Sequence, residues 1–207
     1  MTVNAVVFDF GGVLFDWSPE YLYRELIPDP LERARFLSEV CSPAWNIRQD
    51  AGRPLLEATE LLVAEHPSQA ELIRAFYGRW PQMLRGPLPG GVDLLRRLHA
   101  AEVPLFGLTN WSSETYPHAE RSADFLHMFR DILVSGEVGI AKPDPAIYQL
   151  MHARIGARLP GIAPQELLFI DDNAANVAAA TALGWQAVHH ASAGATEAAL
   201  RAAGLRF

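Results

Sequence analysis

The stretch VVFDFGGVLFDW, residues 6–17, sets the reading of this chain. Val6, Val7 and Phe8 form an apolar run that ends in the carboxylate of Asp9. Gly11 and Gly12 follow, and a second apolar run begins at Val13. An apolar run of strand length bounded by glycine has the pattern of a strand buried on both faces of a parallel sheet. In open parallel sheets the ligand site lies outside the carboxyl ends of the strands. The stretch therefore places Asp9 where a site would be.

Further runs repeat the pattern. VPLFGLTN (103–110), ELLFIDDN (166–173) and WQAVHH (185–190) are each of strand length, with a weaker run at RDILVSGE (130–137). Helical patterns separate them. Val92, Leu95 and Leu98 lie on one stripe. In DPAIYQLMHARIG, Asp144 is a good N-cap, Pro145 suits the first helical position, Ile147, Leu150 and Met151 share a face, and Gly156 offers a stop. NAANVAAATALG reads as a small-residue helix closed by Gly184. Strands alternating with helices predict an α/β fold, a Rossmann-like parallel sheet with right-handed crossovers. Residues 17–87 break the rhythm. They hold no convincing strand but several amphipathic pieces, separated by Pro28, Pro30, Pro43, Pro54, Pro67 and Pro81. The division expected is a core of residues 1–16 and 88–207 with a helical insertion over 17–87.

Composition narrows the function. The 207 residues carry a net charge of -7 and no cluster of Lys and Arg, which argues against a nucleic-acid surface. No apolar run approaches the roughly 20 residues that span a bilayer. The single Cys41 and the lack of a signal-like N-terminus predict a cytoplasmic protein. The strand ends supply Asp9, then Thr109 and Asn110, then Asp171 and Asp172, and Lys142 lies in the loop GIAKPDP. Three carboxylates brought together raise each other's pKa unless a cation joins them, and a hard ion such as Mg²⁺ suits oxygen donors.

FDFGGVLFD, LTN, AKPDPAIY and FIDDNAANV resemble, in order, the four motifs of the haloacid dehalogenase superfamily. Residues 17–87 resemble its small α-helical cap. FDFGGV, AKPDPAIYQ and FIDDNAANV are most similar to the bacterial glucose-1-phosphate phosphatase group. The resemblance implies a Mg²⁺-dependent phosphatase acting on a small phosphorylated metabolite, with sugar phosphates as one class. Asp9 would be the nucleophile that forms an aspartyl-phosphate, and the Gly11 carbonyl and Asp172 would be metal ligands with Asp171 beside them. Thr109 and Asn110 would contact the phosphoryl group, Lys142 would balance its charge, and Asn173 or Asn176 would position metal-bound water. Relatives usually carry a second aspartate, the general acid, where this chain has Gly11. That favours substrates with easier leaving groups. Two other readings compete. In a 2-haloacid dehalogenase the aspartate attacks carbon, but a tyrosine usually stands at the Gly11 place and serines replace Asp171 and Asp172. The other is a catalytically impaired binding protein of the same fold.

Other residues have blander readings. Adjacent strand residues point to opposite faces, so His189 and His190 are expected to be strand-end residues and not a metal pair. His118 and His127 read as surface or packing groups. Trp17, Trp45 and Trp111 read as core, with substrate contact the alternative for Trp111 beside the Thr109–Asn110 pair. Arg48 and Asp50, in WNIRQDAG, read as a solvated loop, with substrate contact the alternative.

Overall fold

A computed structural model describes residues 2–207. Seven strands are present among them: β1 (Ala5–Phe8), β2 (Phe15–Trp17), β3 (Leu84–Pro87), β4 (Leu105–Thr109), β5 (Asp131–Val134), β6 (Leu167–Asp171) and β7 (Gln186–His189). Five of them form one sheet in the order β5-β4-β1-β6-β7. Every neighbouring pair in that sheet is parallel. The α/β class expected from the alternation of strands and helices is the class observed.

The central position of β1 follows from its composition. All four of its residues are buried, and they alternate between two apolar layers. Val6 and Phe8 belong to one layer. Ala5 and Val7 belong to the other, with Phe106, Leu108, Ile147, Met151 and Ile155. The helix that contributes the last three, Pro145–Arg158, starts as the sequence predicts, with the Asp144 carboxylate accepting from the Ala146 N–H. It does not stop at Gly156 but runs on to Arg158. A helical glycine costs only about 1 kcal/mol, and the buried Ile155 holds that turn in place.

Between β2 and β3 lie five helices: α1 (Glu20–Leu26), α2 (Pro30–Glu39), α3 (Pro43–Asp50), α4 (Leu55–Glu65) and α5 (Ala70–Gly78). Asp29 caps α2, and Ser42 caps α3 by accepting from the Trp45 N–H. Proline takes the first position of both helices, where a missing N–H costs nothing. Tyr23, Phe36, Trp45 and Phe76 pack together in their interior. Two expectations need correction here. Residues 84–87 are a strand, paired antiparallel with β2. The sequence LRGP has neither alternation nor β-branched residues to announce it. WNIRQDAG is not a solvated loop: its first six residues lie in α3, with Trp45 and Gln49 buried.

The remaining helices cover the main sheet: α6 (Pro89–Ala100), α7 (Tyr116–Ser122), α8 (Ser135–Val138), α9 (Pro145–Arg158), α10 (Ala174–Ala182) and α11 (Ala193–Ala202). Val92, Leu95 and Leu98 are buried along α6, as their spacing predicts. Among the described residues, no helix is long and apolar enough to cross a membrane.

Candidate functional site

The sheet register brings the polar strand ends together. Phe8 pairs with Gly107 on one side and Ile170 on the other, so Asp9 stands level with Leu108 and Asp171. Asp9 and Asp171 are buried, and Asp172 is exposed beside them. One carboxylate oxygen from each of the three lies within 4.8 Å of the others.

Lys142 ties the cluster to the sheet. Its side chain is fully buried, and its Nζ is 2.9 Å from Asp9 Oδ1 and 2.6 Å from Asp171 Oδ2. Its third donor goes to the Leu108 carbonyl at 3.0 Å. Asp9 Oδ1 also accepts from the Phe10 N–H at 2.6 Å. Among the described residues, no donor occupies Asp9 Oδ2. One oxygen of this carboxylate is thus held by two donors and the other by none.

Asp171 is used up by its surroundings. Besides Lys142, it accepts from the Asn173 N–H and from both contacts of Asn176 Nδ2. Asn173 spends its own side-chain oxygen capping α10 through the Ala175 N–H. Asn173 or Asn176 was expected to position metal-bound water; Asn173 Oδ1 and Asn176 Nδ2 are both engaged by protein. Asp172, by contrast, stands against Gly12. A Cβ on Gly12 would collide with the Asp172 carboxylate, and its φ of +67° lies in the left-handed region. Only glycine meets both demands.

Asn110 is placed differently from the expectation. Its Oδ1 accepts from the Lys142 N–H at 2.8 Å and its Nδ2 donates to the Lys142 carbonyl at 2.9 Å. The whole amide clamps the backbone of Lys142, two bonds worth about 0.5–1.5 kcal/mol each. Thr109 is buried at the end of β4, on the same edge of the sheet.

The electrostatics follow from this packing. Burial pushes the Asp9 carboxyl up to about 8, with Lys142 pulling against it and Asp171 adding to it. Burial works against the charge on Lys142, yet the two carboxylates hold its ammonium above the usual lysine range. Burial and the neighbouring Asp171 also lift Asp172 above the usual carboxylate range. Three carboxylates face one ammonium, so the cluster is short of positive charge. Its donors are hard oxygens, the set a magnesium ion takes.

A cavity of about 60 Å³ opens next to Gly11, between the core and the inserted helices. Trp17, Trp80, Trp111 and Tyr77 supply its aromatic walls, and Asp50 and Asn46 its polar ones. The indole N–H groups of Trp17 and Trp111 are buried without a partner. Both tryptophans are thus wall residues of the cavity as well as packing groups, while Trp45 packs inside the helices. Arg48 is exposed on α3 and does not line the cavity. Asp50 and Tyr77, which strand-end reasoning misses, are the titratable groups on these walls. The i, i+4 spacing of Trp45 and Gln49, had α3 been read as a helix, would have set Asp50 at its end.

The histidines hold no such cluster. His189 ends β7 with Nε2 2.8 Å from the Asp172 carbonyl, and His190 pairs with Thr196 Oγ1. His118 stacks on Trp80, and His127 is exposed.

Comparison with known proteins follows the same lines. The family profile of haloacid dehalogenase-like hydrolases matches residues 3–184. Phosphoglycolate phosphatase of Chromobacterium violaceum is 29% identical over 196 residues, covering 90% of this chain and 84% of that protein. Drimenol cyclase drtB of Aspergillus calidoustus is 24% identical over 90% of this chain, which spans only 34% of that longer protein. Among solved structures, the magnesium complex of enzyme bt-2542 from Bacteroides thetaiotaomicron superposes with a TM-score of 0.67 at 20% identity, covering 91% of this chain and 93% of that one.

Proposed function

This chain belongs to the haloacid dehalogenase-like hydrolases, and from that premise we propose that it is a Mg²⁺-dependent phosphatase of a small phosphorylated metabolite. The observation that carries this reading is the pairing of Asp9 and Asp171 with one buried Lys142 beside the half-free Asp172. The unpartnered Oδ2 of Asp9 attacks phosphorus, and an aspartyl-phosphate forms. Lys142 favours the ionised form of Asp9 against the effect of burial and faces the charge that gathers on the phosphoryl oxygens. Asn110 holds the backbone of Lys142 in register, and Thr109 meets the phosphoryl group from the next strand. Asp9, Asp172 and the Gly11 carbonyl would hold the metal, which supplies positive charge to the phosphoryl oxygens when bound. Asp171, saturated by Lys142, Asn173 and Asn176, orients Lys142 from behind.

The cavity beside Gly11 takes the leaving group. Its carboxylate, amide and unpartnered indole N–H groups would satisfy hydroxyls, and its aromatic walls would pack against ring or chain carbons. No Lys or Arg lines it, so a leaving group with its own carboxylate would meet Asp50 uncompensated. These features favour a sugar phosphate or similar polyol phosphate. The acids at positions 171 and 172 count against 2-haloacid dehalogenase chemistry. We test this with a panel of phosphorylated metabolites and a 2-haloacid, each with Mg²⁺ and with chelator. Phosphate release that needs Mg²⁺ and favours uncharged polyol esters supports the reading. Halide release without phosphatase activity overturns it.

A further inference from the structure

We propose that Asp50, on α3, hands the proton to the departing oxygen and later takes one from the attacking water. This rests on the phosphatase reading above. The strand ends offer no group for that task. Asp9 is the nucleophile, Asp171 is saturated by donors, and all three protons of Lys142 are engaged. Asp172 lies against Gly12 and is not among the residues that line the cavity beside Gly11.

Asp50 stands in that cavity. Gly11 and Asp50 share its walls, and a Cβ built on Gly11 meets nothing within 4 Å. The space above the nucleophile's turn is thus open, and α3 supplies the carboxyl that borders it. A directed set of hydrogen bonds holds the side chain. Gln49 Nε2 donates to the Tyr77 hydroxyl, which donates to Asn46 Oδ1, and Asn46 Nδ2 donates to Asp50 Oδ2 at 2.9 Å. The backbone is fixed as well. The Asp50 carbonyl accepts from Ser135 Oγ at 2.5 Å, and Ser135 in turn accepts from the Trp111 N–H. The acid therefore sits on an inserted helix but is anchored to the core beside the Thr109–Asn110 strand end.

The surroundings suit a carboxyl that trades protons near neutrality. Burial pushes Asp50 up to about 7, with the Ser112 N–H pulling the other way. Tyr77 on α5 is the other titratable group facing it, and burial raises that phenol too. The segment after β4 adds Asn110, Trp111 and Thr115 to the cavity walls, and the β1 turn adds Gly11, none of them charged. The nearby Arg53 is bound to Gln49 Oε1.

The step balances. As the bond from Asp9 to phosphorus forms and the ester P–O bond breaks, the Asp50 proton goes to the leaving oxygen, which departs as an alcohol. The Asp50 carboxylate then removes a proton from the water that attacks phosphorus, phosphate leaves, and both side chains are restored.

The test compares p-nitrophenyl phosphate, whose leaving group needs no proton, with glycerol phosphate, whose leaving group does. It uses the wild type, Asp50→Asn, and Asp50→Asn combined with Gly11→Asp, all with Mg²⁺. Asp50→Asn is expected to slow first-turnover release of glycerol by about 10²–10⁴-fold, to slow the first-turnover burst of p-nitrophenol far less, and to lower steady-state turnover of both esters through the shared water step. A thermal midpoint near that of the wild type reports that the variant is folded. The added Gly11→Asp, which has open space to enter, is expected to restore part of the alkyl activity. Equal losses in the first-turnover release of glycerol and of p-nitrophenol, or wild-type turnover confined to aryl esters, overturn the assignment of Asp50. A wild type that releases no phosphate from either ester overturns the phosphatase reading and this one with it.

Discussion

Replacing Lys142 by methionine probes the charge balance on which the site depends. The side chain is fully buried, and its ammonium is 2.6 Å from Asp171 and 2.9 Å from Asp9. Methionine fills much of the same volume but leaves two buried carboxylates facing each other. Removing one partner from a buried pair costs about 3–5 kcal/mol, because the remaining charge loses its compensation in a low dielectric. For a chain of this size each kcal/mol moves Tm by about 2–4 °C, so Lys142→Met is expected to melt roughly 6–20 °C below the wild type. Thermal unfolding followed by circular dichroism in chelator reads this directly. The combination with Asp171→Asn removes one of the stranded charges. The double variant should therefore be more stable than the two single losses predict, with a coupling of about 0.5–3 kcal/mol. A single variant within about 1 kcal/mol of the wild type, or strictly additive losses, would refute a Lys142 ammonium that compensates both acids.

Three further outcomes follow from other contacts. Gly12→Ala forces a side chain into a left-handed backbone and against Asp172, so it should destabilise the protein by about 1–3 kcal/mol and weaken Mg²⁺ binding, read by melting with and without the ion. Asn110→Ala removes both bonds to the Lys142 backbone and should cost about 1–3 kcal/mol in urea unfolding, with kcat falling more than KM rises. Away from the site, burial works to raise Asp131, but the bidentate Arg154 and nearby Arg158 hold its carboxyl below the usual range. A lowered carboxyl contributes stability that is present at neutral pH and lost as pH falls through its folded value. Arg154→Met should thus cost about 1 kcal/mol at pH 7, the partly exposed pair being screened, and the gap should close below about pH 4 in pH-dependent unfolding.

The strand ends were legible because burial writes them plainly. Val6 to Phe8 and Leu167 to Ile170 are apolar on both faces, so a carboxylate at the next position stands out. The N-cap at Asp144 was equally clear, and its side chain bonds its own helix start. What the sequence hides depends on contacts between distant segments. β3 is a strand because β2 lies beside it, and LRGP carries no such signal alone. The clamp of Asn110 on Lys142 joins residues 32 apart, so the amide reads as a turn or ligand contact until the fold closes. Asp50 looks solvated because its neighbours in the chain are polar. Its cavity is made by Trp17, Trp80 and Trp111 from three other segments. Gly11 is a partial case: the absent acid was legible, but the open space over it and the carboxyl across that space were not.

The measurement that bears most directly on the account is phosphate release from an aryl phosphate by wild type and Asp9→Asn, each with Mg²⁺ and with chelator. Asn keeps the shape of the buried Asp9 and loses the nucleophilic oxygen. Turnover is expected only in the wild type and only with the metal. Full turnover by Asp9→Asn, or by the wild type in chelator, would contradict it.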